Sequence, residues 1–135
     1  MTTKIIIDGE GAVLGRLCSF AAKKALEGNE IIIVNSEKTI VLGNKKDIIG
    51  KYQQARKRGG RAQKGPYKPK PSFMMLKRSI RGMLPDYRWG EGRDAFKRII
   101  CYDGIPKEYV DKKMIKMNKP IRNKFVELKE ISENL

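Results

Sequence analysis

Lys4-Ile5-Ile6-Ile7-Asp8 and Ile31-Ile32-Ile33-Val34 enclose a segment in which Val13, Leu14, Leu17, Cys18, Ala21 and Ala25 recur at helical spacing, and their reading decides the fold class. The two isoleucine runs are short, β-branched and bounded by glycine or polar residues, so they read as buried strands. Between them Lys23, Lys24 and Glu27 turn away from the apolar stripe, and Gly28-Asn29 closes the helix. Strand, helix and strand in this order make a βαβ unit, with parallel strands and a right-handed crossover.

The first strand-to-helix junction invites a nucleotide-binding reading, because Gly9, Gly11 and Gly15 approach a dinucleotide fingerprint. The spacing fails: the third glycine belongs at position 14, where Leu14 stands. A P-loop fails as well, since Arg16 and Leu17 follow Gly15 where Lys and Ser or Thr are required. The glycines are better explained by a tight turn and close helix-to-strand packing. Arg16, in the first helical turn, remains a secondary candidate for a phosphate contact.

Working onward, Asn35-Ser36-Glu37 forms a turn, and Thr39 to Leu42 adds a short strand or extends the preceding one. Asn44, with Asp47 three residues on, suits a helix N-cap, and Ile48, Tyr52 and Ala55 mark one helical face. Ser72 is placed to cap a third helix whose stripe is Phe73, Leu76, Ile80 and Met83, stopped by Gly82 and Pro85. A short helix is expected through Asp94, Ala95 and Phe96, then a buried strand from Ile99 to Tyr102, and a short helix opened by Pro106. Residues 112–124 read as basic and irregular, after which Phe125, Val126 and Leu128 return to the body.

Charge is distributed unevenly over the 135 residues and the net +15. Residues 45–93 hold fifteen basic residues against three acidic ones, while the flanking thirds are near neutral. From Ile48 to Pro85 there are eleven Lys or Arg and not one Asp or Glu. The middle of that stretch, about residues 56–71, has no apolar periodicity and is punctuated by glycine and proline. Such a run is expected to stay extended until a polyanion neutralises it. The chain is therefore read as one domain, residues 1–135, presenting a basic arm that lies along phosphates. The candidate contacts in the arm are Arg56, Lys57, Arg58, Arg61, Lys64, Lys68 and Lys70. Lys77, Arg78 and Arg81 carry the surface onto the third helix, Tyr87, Arg88 and Trp89 form an aromatic and cationic cluster beyond it, and Arg93 flanks the short helix that follows. Trp89 either stacks on an unpaired base or fills the edge of the body.

Several chemistries are excluded by composition. There is no histidine, and Cys18 and Cys101 lie far apart in apolar neighbourhoods, so zinc clusters and Ser-His or Cys-His nucleophiles lack their parts. Two reduced, buried thiols are expected. No apolar run reaches the length of a spanning helix, and Met1 to Gly9 lacks the pattern of a secretory signal, so a cytoplasmic protein without a membrane partner is expected. No cofactor, catalytic residue or small-molecule substrate is called for. A small α/β enzyme using the Gly9–Gly15 turn for a mononucleotide is the reading from another class. A free regulator holding messenger RNA with the same arm is a third.

The motif order resembles the large-subunit ribosomal protein thirteen family in its archaeal or eukaryotic-like form. The marks are Asp8 followed by Leu14-Gly15-Arg16-Leu17-Cys18-Ser19; Ile33-Val34-Asn35; Ile80-Arg81-Gly82-Met83-Leu84-Pro85; and Tyr102-Asp103-Gly104-Ile105-Pro106. They span nearly the whole chain. Bacterial relatives usually have alanine where this chain has Gly9, and carry a histidine-containing arm, so their individual contacts do not transfer. The resemblance implies a three-layer α/β/α fold with a mostly parallel four-stranded sheet and a long basic extended loop. It also implies a structural protein embedded in large-subunit ribosomal RNA among neighbouring ribosomal proteins, and associated with early subunit assembly.

Overall fold

The isoleucine runs form parallel strands, β1 (Lys4–Asp8) and β2 (Glu30–Val34), with Ile5 opposite Ile31 and Ile7 opposite Ile33. The computed structural model describes residues 3–57, 69–118 and 123–134. The crossover helix, α1 (Leu14–Leu26), buries Leu17, Cys18, Ala21, Ala22 and Ala25, the stripe expected from their spacing. Its end follows from Gly28, whose φ of +102° suits glycine and lets the Asn29 N–H reach the Lys24 carbonyl at 3.3 Å.

Two further strands complete a parallel sheet of order β4-β2-β1-β5: β4 is Ile99–Cys101 and β5 is Ile115–Lys116. Alternation sorts the side chains. Ile7, Ile31, Ile33, Ile99 and Cys101 point into the larger core, among residues of α1 and of the helices α3 (Ser72–Gly82), α4 (Gly90–Lys97) and α5 (Leu128–Glu133). Each fully buried isoleucine there contributes about 1.5–3 kcal/mol. Ile6, Ile32 and Val34 point the other way and are covered by Tyr109, from the 3-10 turn Lys107–Tyr109, with Tyr102 and Met114. The mixed α/β class with a parallel four-stranded sheet is thus as expected, although the outer layer on this second face is thin.

Some sequence expectations are corrected. Thr39 to Leu42 does not extend β2. Asn35 sits in the left-handed region (φ 55°), where its Nδ2 donates to Asp8 Oδ1 at 3.0 Å, and the 3-10 turn Ser36–Lys38 then swings the chain away. The strand that follows, β3 (Ile40–Leu42), pairs antiparallel with β6 (Phe125–Glu127), Val41 opposite Val126. The fourth place in the main sheet goes to β5, inside the stretch read as irregular; two residues pairing with an established strand leave no periodic trace. Ser72 is the first residue of α3, Pro71 occupies the cap position without a side-chain bond, and Met75 rather than Met83 joins Leu76 and Ile80 in the core. Arg56 and Lys57 belong to the last turn of α2 (Lys45–Lys57) instead of an extended arm.

The chain on both sides of residues 58–68 is tied to the C-terminal helix. On the α2 side the Gln53 Nε2 donates to the Asn134 carbonyl at 2.7 Å, and on the α3 side the Ser132 hydroxyl donates to the Lys70 carbonyl at 2.8 Å. Leu128 and Ile131, both fully buried, seat α5 in the core, so the two flanks are referred to one rigid support.

Candidate nucleic-acid interface

Helix α3 organises the basic face. Met75, Leu76 and Ile80 are inward, which by helical periodicity turns Lys77, Arg78 and Arg81 toward the outer side, each half-buried along its stem. Aromatic rings support the cations. Lys77 Nζ lies 5.0 Å from the centre of the Phe96 ring, and the Arg81 guanidinium lies 4.3 Å from that of Tyr87. Tyr87 and Phe96 meet edge to face at 6.3 Å, and the Arg88 guanidinium lies 5.7 Å from the centre of the Tyr87 ring. The hydrogen bond from Arg88 to the Tyr87 phenol, followed by the charges of Arg81 and Arg88, holds that phenol below its ordinary range. Fixed in this way, the guanidiniums lose less freedom when they meet an anion.

The turn carrying Tyr87 is set by Gly92. A Cβ at that position would stand 1.7 Å from the Pro85 carbonyl oxygen, so α4 packs onto the backbone of Pro85 and Asp86 as only glycine allows. The Asp86 carboxylate accepts the Arg88 N–H at 3.1 Å, which shapes the approach to α4. Trp89 stands at the N-terminal boundary of α4 and is 68% exposed, so it does not fill the edge of the body.

Between α2 and α3 lies a groove of about 500 Å³. Tyr52 and Ala55 of α2, Met75 and Ser79 of α3, and Pro69 make its floor and walls, and Lys51, Arg78 and Arg81 bring cations to it. Arg78, Arg81 and Pro69 also line a second groove of about 270 Å³ toward Lys77 and Phe96. The three ion pairs found among the described residues, Lys24–Glu27, Lys38–Glu10 and Lys45–Glu130, leave Lys51, Lys77 and Arg81 outside them.

The other candidates are spread out. Arg56 and Lys57 are exposed at the end of α2, Lys70 is exposed beside α3, and Arg88 and Arg93 are exposed around the start of α4. Arg16 is exposed on the first turn of α1. Arg58, Arg61, Lys64 and Lys68 lie outside the described residues. Sequence reasoning passed over Lys51, Tyr52 and Met75 as site residues, and placed Tyr87 in the aromatic and cationic cluster without naming it as a contact. The available signal for Lys51 was its place inside the acid-free stretch, one residue from an apolar helical face.

Cys18 and Cys101 are free, buried thiols, both pushed up to about 12, chiefly by burial, and therefore poor nucleophiles at neutral pH. Among the described residues no cluster of His, Cys, Asp or Glu could hold a metal ion, and no helix is long and apolar enough to cross a membrane.

Comparison with known proteins agrees with the motif order. Residues 2–108 match the family model described as Ribosomal protein L13. The chain is 44% identical over 134 residues to the large ribosomal subunit protein uL13 of Methanocaldococcus jannaschii, with 96% of each chain covered. It is 41% identical over 136 residues to the protein of that name from Methanosarcina barkeri, again with 96% of each covered. To that from Picrophilus torridus it is 40% identical, covering 97% of this chain and 96% of the relative.

Proposed function

From the premise that the chain belongs to the ribosomal protein L13 family, a structural constituent of the large subunit of the cytoplasmic ribosome, we propose that it binds large-subunit ribosomal RNA through its basic face and supports early subunit assembly. The observation that carries this reading is the placement of Lys77, Arg78 and Arg81 on one face of α3, two of them held against aromatic rings, within a stretch free of carboxylates. Arginine forks match phosphate oxygens two at a time, whereas Lys51, Lys70 and Lys77 act as less directional charges. Folded RNA is recognised by shape, backbone and unstacked bases, which suits this combination of cations and an exposed Trp89. Residues 1–135 act as one unit, with the basic run at about 56–71, which opens in the last turn of α2, directed to RNA and a second basic stretch at about 112–124. Neighbouring large-subunit proteins are the other partners. The reading asks for no catalytic step, cofactor or small-molecule substrate, and the relatives lend no support to messenger RNA as a partner.

The test replaces Arg58, Arg61 and Lys64 together by glutamine. The variant is expected to keep its fold, judged by its urea midpoint, while its share in sedimented large subunits falls. Incorporation equal to the unaltered protein at equal abundance would refute the reading.

A further inference from the structure

The groove between α2 and α3 is more particular than a phosphate-binding surface requires. Its floor is apolar and buried at Pro69 and Met75, with Ala55 and the half-buried Tyr52 ring beside them. The Tyr52 phenol is a hydrogen-bond donor at neutral pH, and burial raises its pKa further. The Ser79 hydroxyl donates to the Met75 carbonyl at 3.1 Å, which leaves its oxygen as an acceptor toward the groove. Three cations share the lining with this apolar floor: Lys51 on α2, and Arg78 and Arg81 on α3. A volume of about 500 Å³ is that of a small-molecule site. A bare phosphate would leave the apolar floor uncovered, and an apolar ligand would set no charge against a rim that includes Lys51 and Arg81.

We propose that this groove receives one unpaired nucleotide, its base against Tyr52, Ala55 and Met75 and its phosphate on Lys51, Arg78 and Arg81. The inference rests on the RNA-binding reading above and adds that one nucleotide is taken out of the stack and held. Lys51, Arg78 and Arg81 give the groove a positive rim, which complements an anionic occupant. The second groove, sharing Arg78 and Arg81, offers an adjoining phosphate path toward Lys77.

Gly82 provides a variant that fills the groove without touching the core. It lines the groove at the end of α3, its φ is not positive, and a Cβ there meets nothing within 4 Å. Gly82→Leu keeps every cation and favours the helix. The full-length protein is titrated with the four nucleoside 5′-monophosphates, and with inorganic phosphate and the nucleosides for comparison, while the methyl signals of Ala55 and Met75 are followed by NMR. At least one monophosphate is expected to saturate these signals at millimolar concentration, more tightly than phosphate or nucleoside alone. Gly82→Leu is expected to weaken it about tenfold or more, the loss of one stacked base. The inference is overturned if phosphate alone reproduces the shifts, if no monophosphate saturates, if Gly82→Leu binds equally well, or if residues 58–68 give through-space contacts to Tyr52 in the free protein. Retention of large-subunit RNA by the same samples separates the two claims: lost retention by the unaltered protein refutes the RNA-binding reading, whereas retained RNA with silent monophosphates refutes only the nucleotide site.

Discussion

The turn from Gly9 to Gly15 and the face shared by α2 and α3 differ in what their side chains leave open. At the turn, a Cβ on Gly9 would stand 2.9 Å from Thr39 Oγ1 and 3.1 Å from the Val34 carbonyl, and one on Gly11 would meet Asn118 Cβ at 3.1 Å. The Asp8 carboxylate is engaged, accepting the Glu10 N–H and the Asn35 amide, each at 3.0 Å. The carboxylate of Glu37 accepts the Gly104 N–H at 2.8 Å. Open α/β sheets ordinarily bind ligands beyond the C-terminal ends of their strands. Here that end is packed and lined by acids. The α2–α3 face carries no named motif, yet it has cations, supported aromatic rings and space. In this molecule charge and room lie together on the α2–α3 face, and the glycine spacing answers to packing.

The largest expected effect breaks the basic side by its backbone. Gly92→Ala would put a methyl 1.7 Å from the Pro85 carbonyl oxygen, where backbone rather than a flexible side chain must yield. Urea unfolding is expected to show a loss of about 4 kcal/mol or more, in the range reserved for a named structural failure. At the turn, Gly9→Ala meets a side-chain hydroxyl first and should cost about 1–3 kcal/mol, as overpacking does. What distinguishes the regions is the RNA affinity of the molecules that remain folded. It should be unchanged in Gly9→Ala, and an equal loss there would return the turn to the binding surface.

A charge change sharpens the contrast without touching the fold. Replacing Arg78 and Arg81 by glutamine removes two cations of the α3 face, one of them stacked on Tyr87. The slope of log K against log salt for large-subunit RNA should become shallower by about 1.4–1.8, the release expected for two phosphates. Stability should shift by less than about 1 kcal/mol, because these are surface charges. An unchanged slope would mean that the face is not where phosphates are neutralised.

How far these regions were legible in sequence follows from the kind of signal each carries. The βαβ unit was readable because β-branched runs and a 3.6-residue stripe bracket each other, and the Gly28-Asn29 stop was readable because a left-handed residue there is chemically restricted. The four-stranded parallel sheet was expected, but its membership was not: β3 left it because of a left-handed Asn35, and β5 joined it with two residues. Long-range pairing of this kind has no local pattern. The cations of α3 were named from charge and helical phase. The groove beside them was not, because it needs α2, α3, Pro69 and Tyr87 brought together. The fixed rings under Lys77 and Arg81 escaped for the same reason.

The smallest effect concerns the acids near the strand ends. Asp103, following β4, has its carboxyl raised above the ordinary value of 3.8, by burial first and the Glu37 charge second, against a hydrogen bond from the Phe73 backbone N–H at the start of α3. A raised carboxyl pKa means that the folded chain binds this proton more tightly than the unfolded one does. Stability from this group is therefore fully present below the ordinary value and is lost as pH rises through the raised one. Urea midpoints of Asp103→Asn should lack that segment of the decline, by less than about 1 kcal/mol because solvent screens much of the interaction. The same variant removes one negative charge from this end of the molecule. If packing as well as charge closes the Gly9 turn, nucleoside monophosphates should still fail to perturb the amide signals of Gly9 and Gly11 in Asp103→Asn. Saturable shifts appearing there would show that charge alone had kept the turn closed.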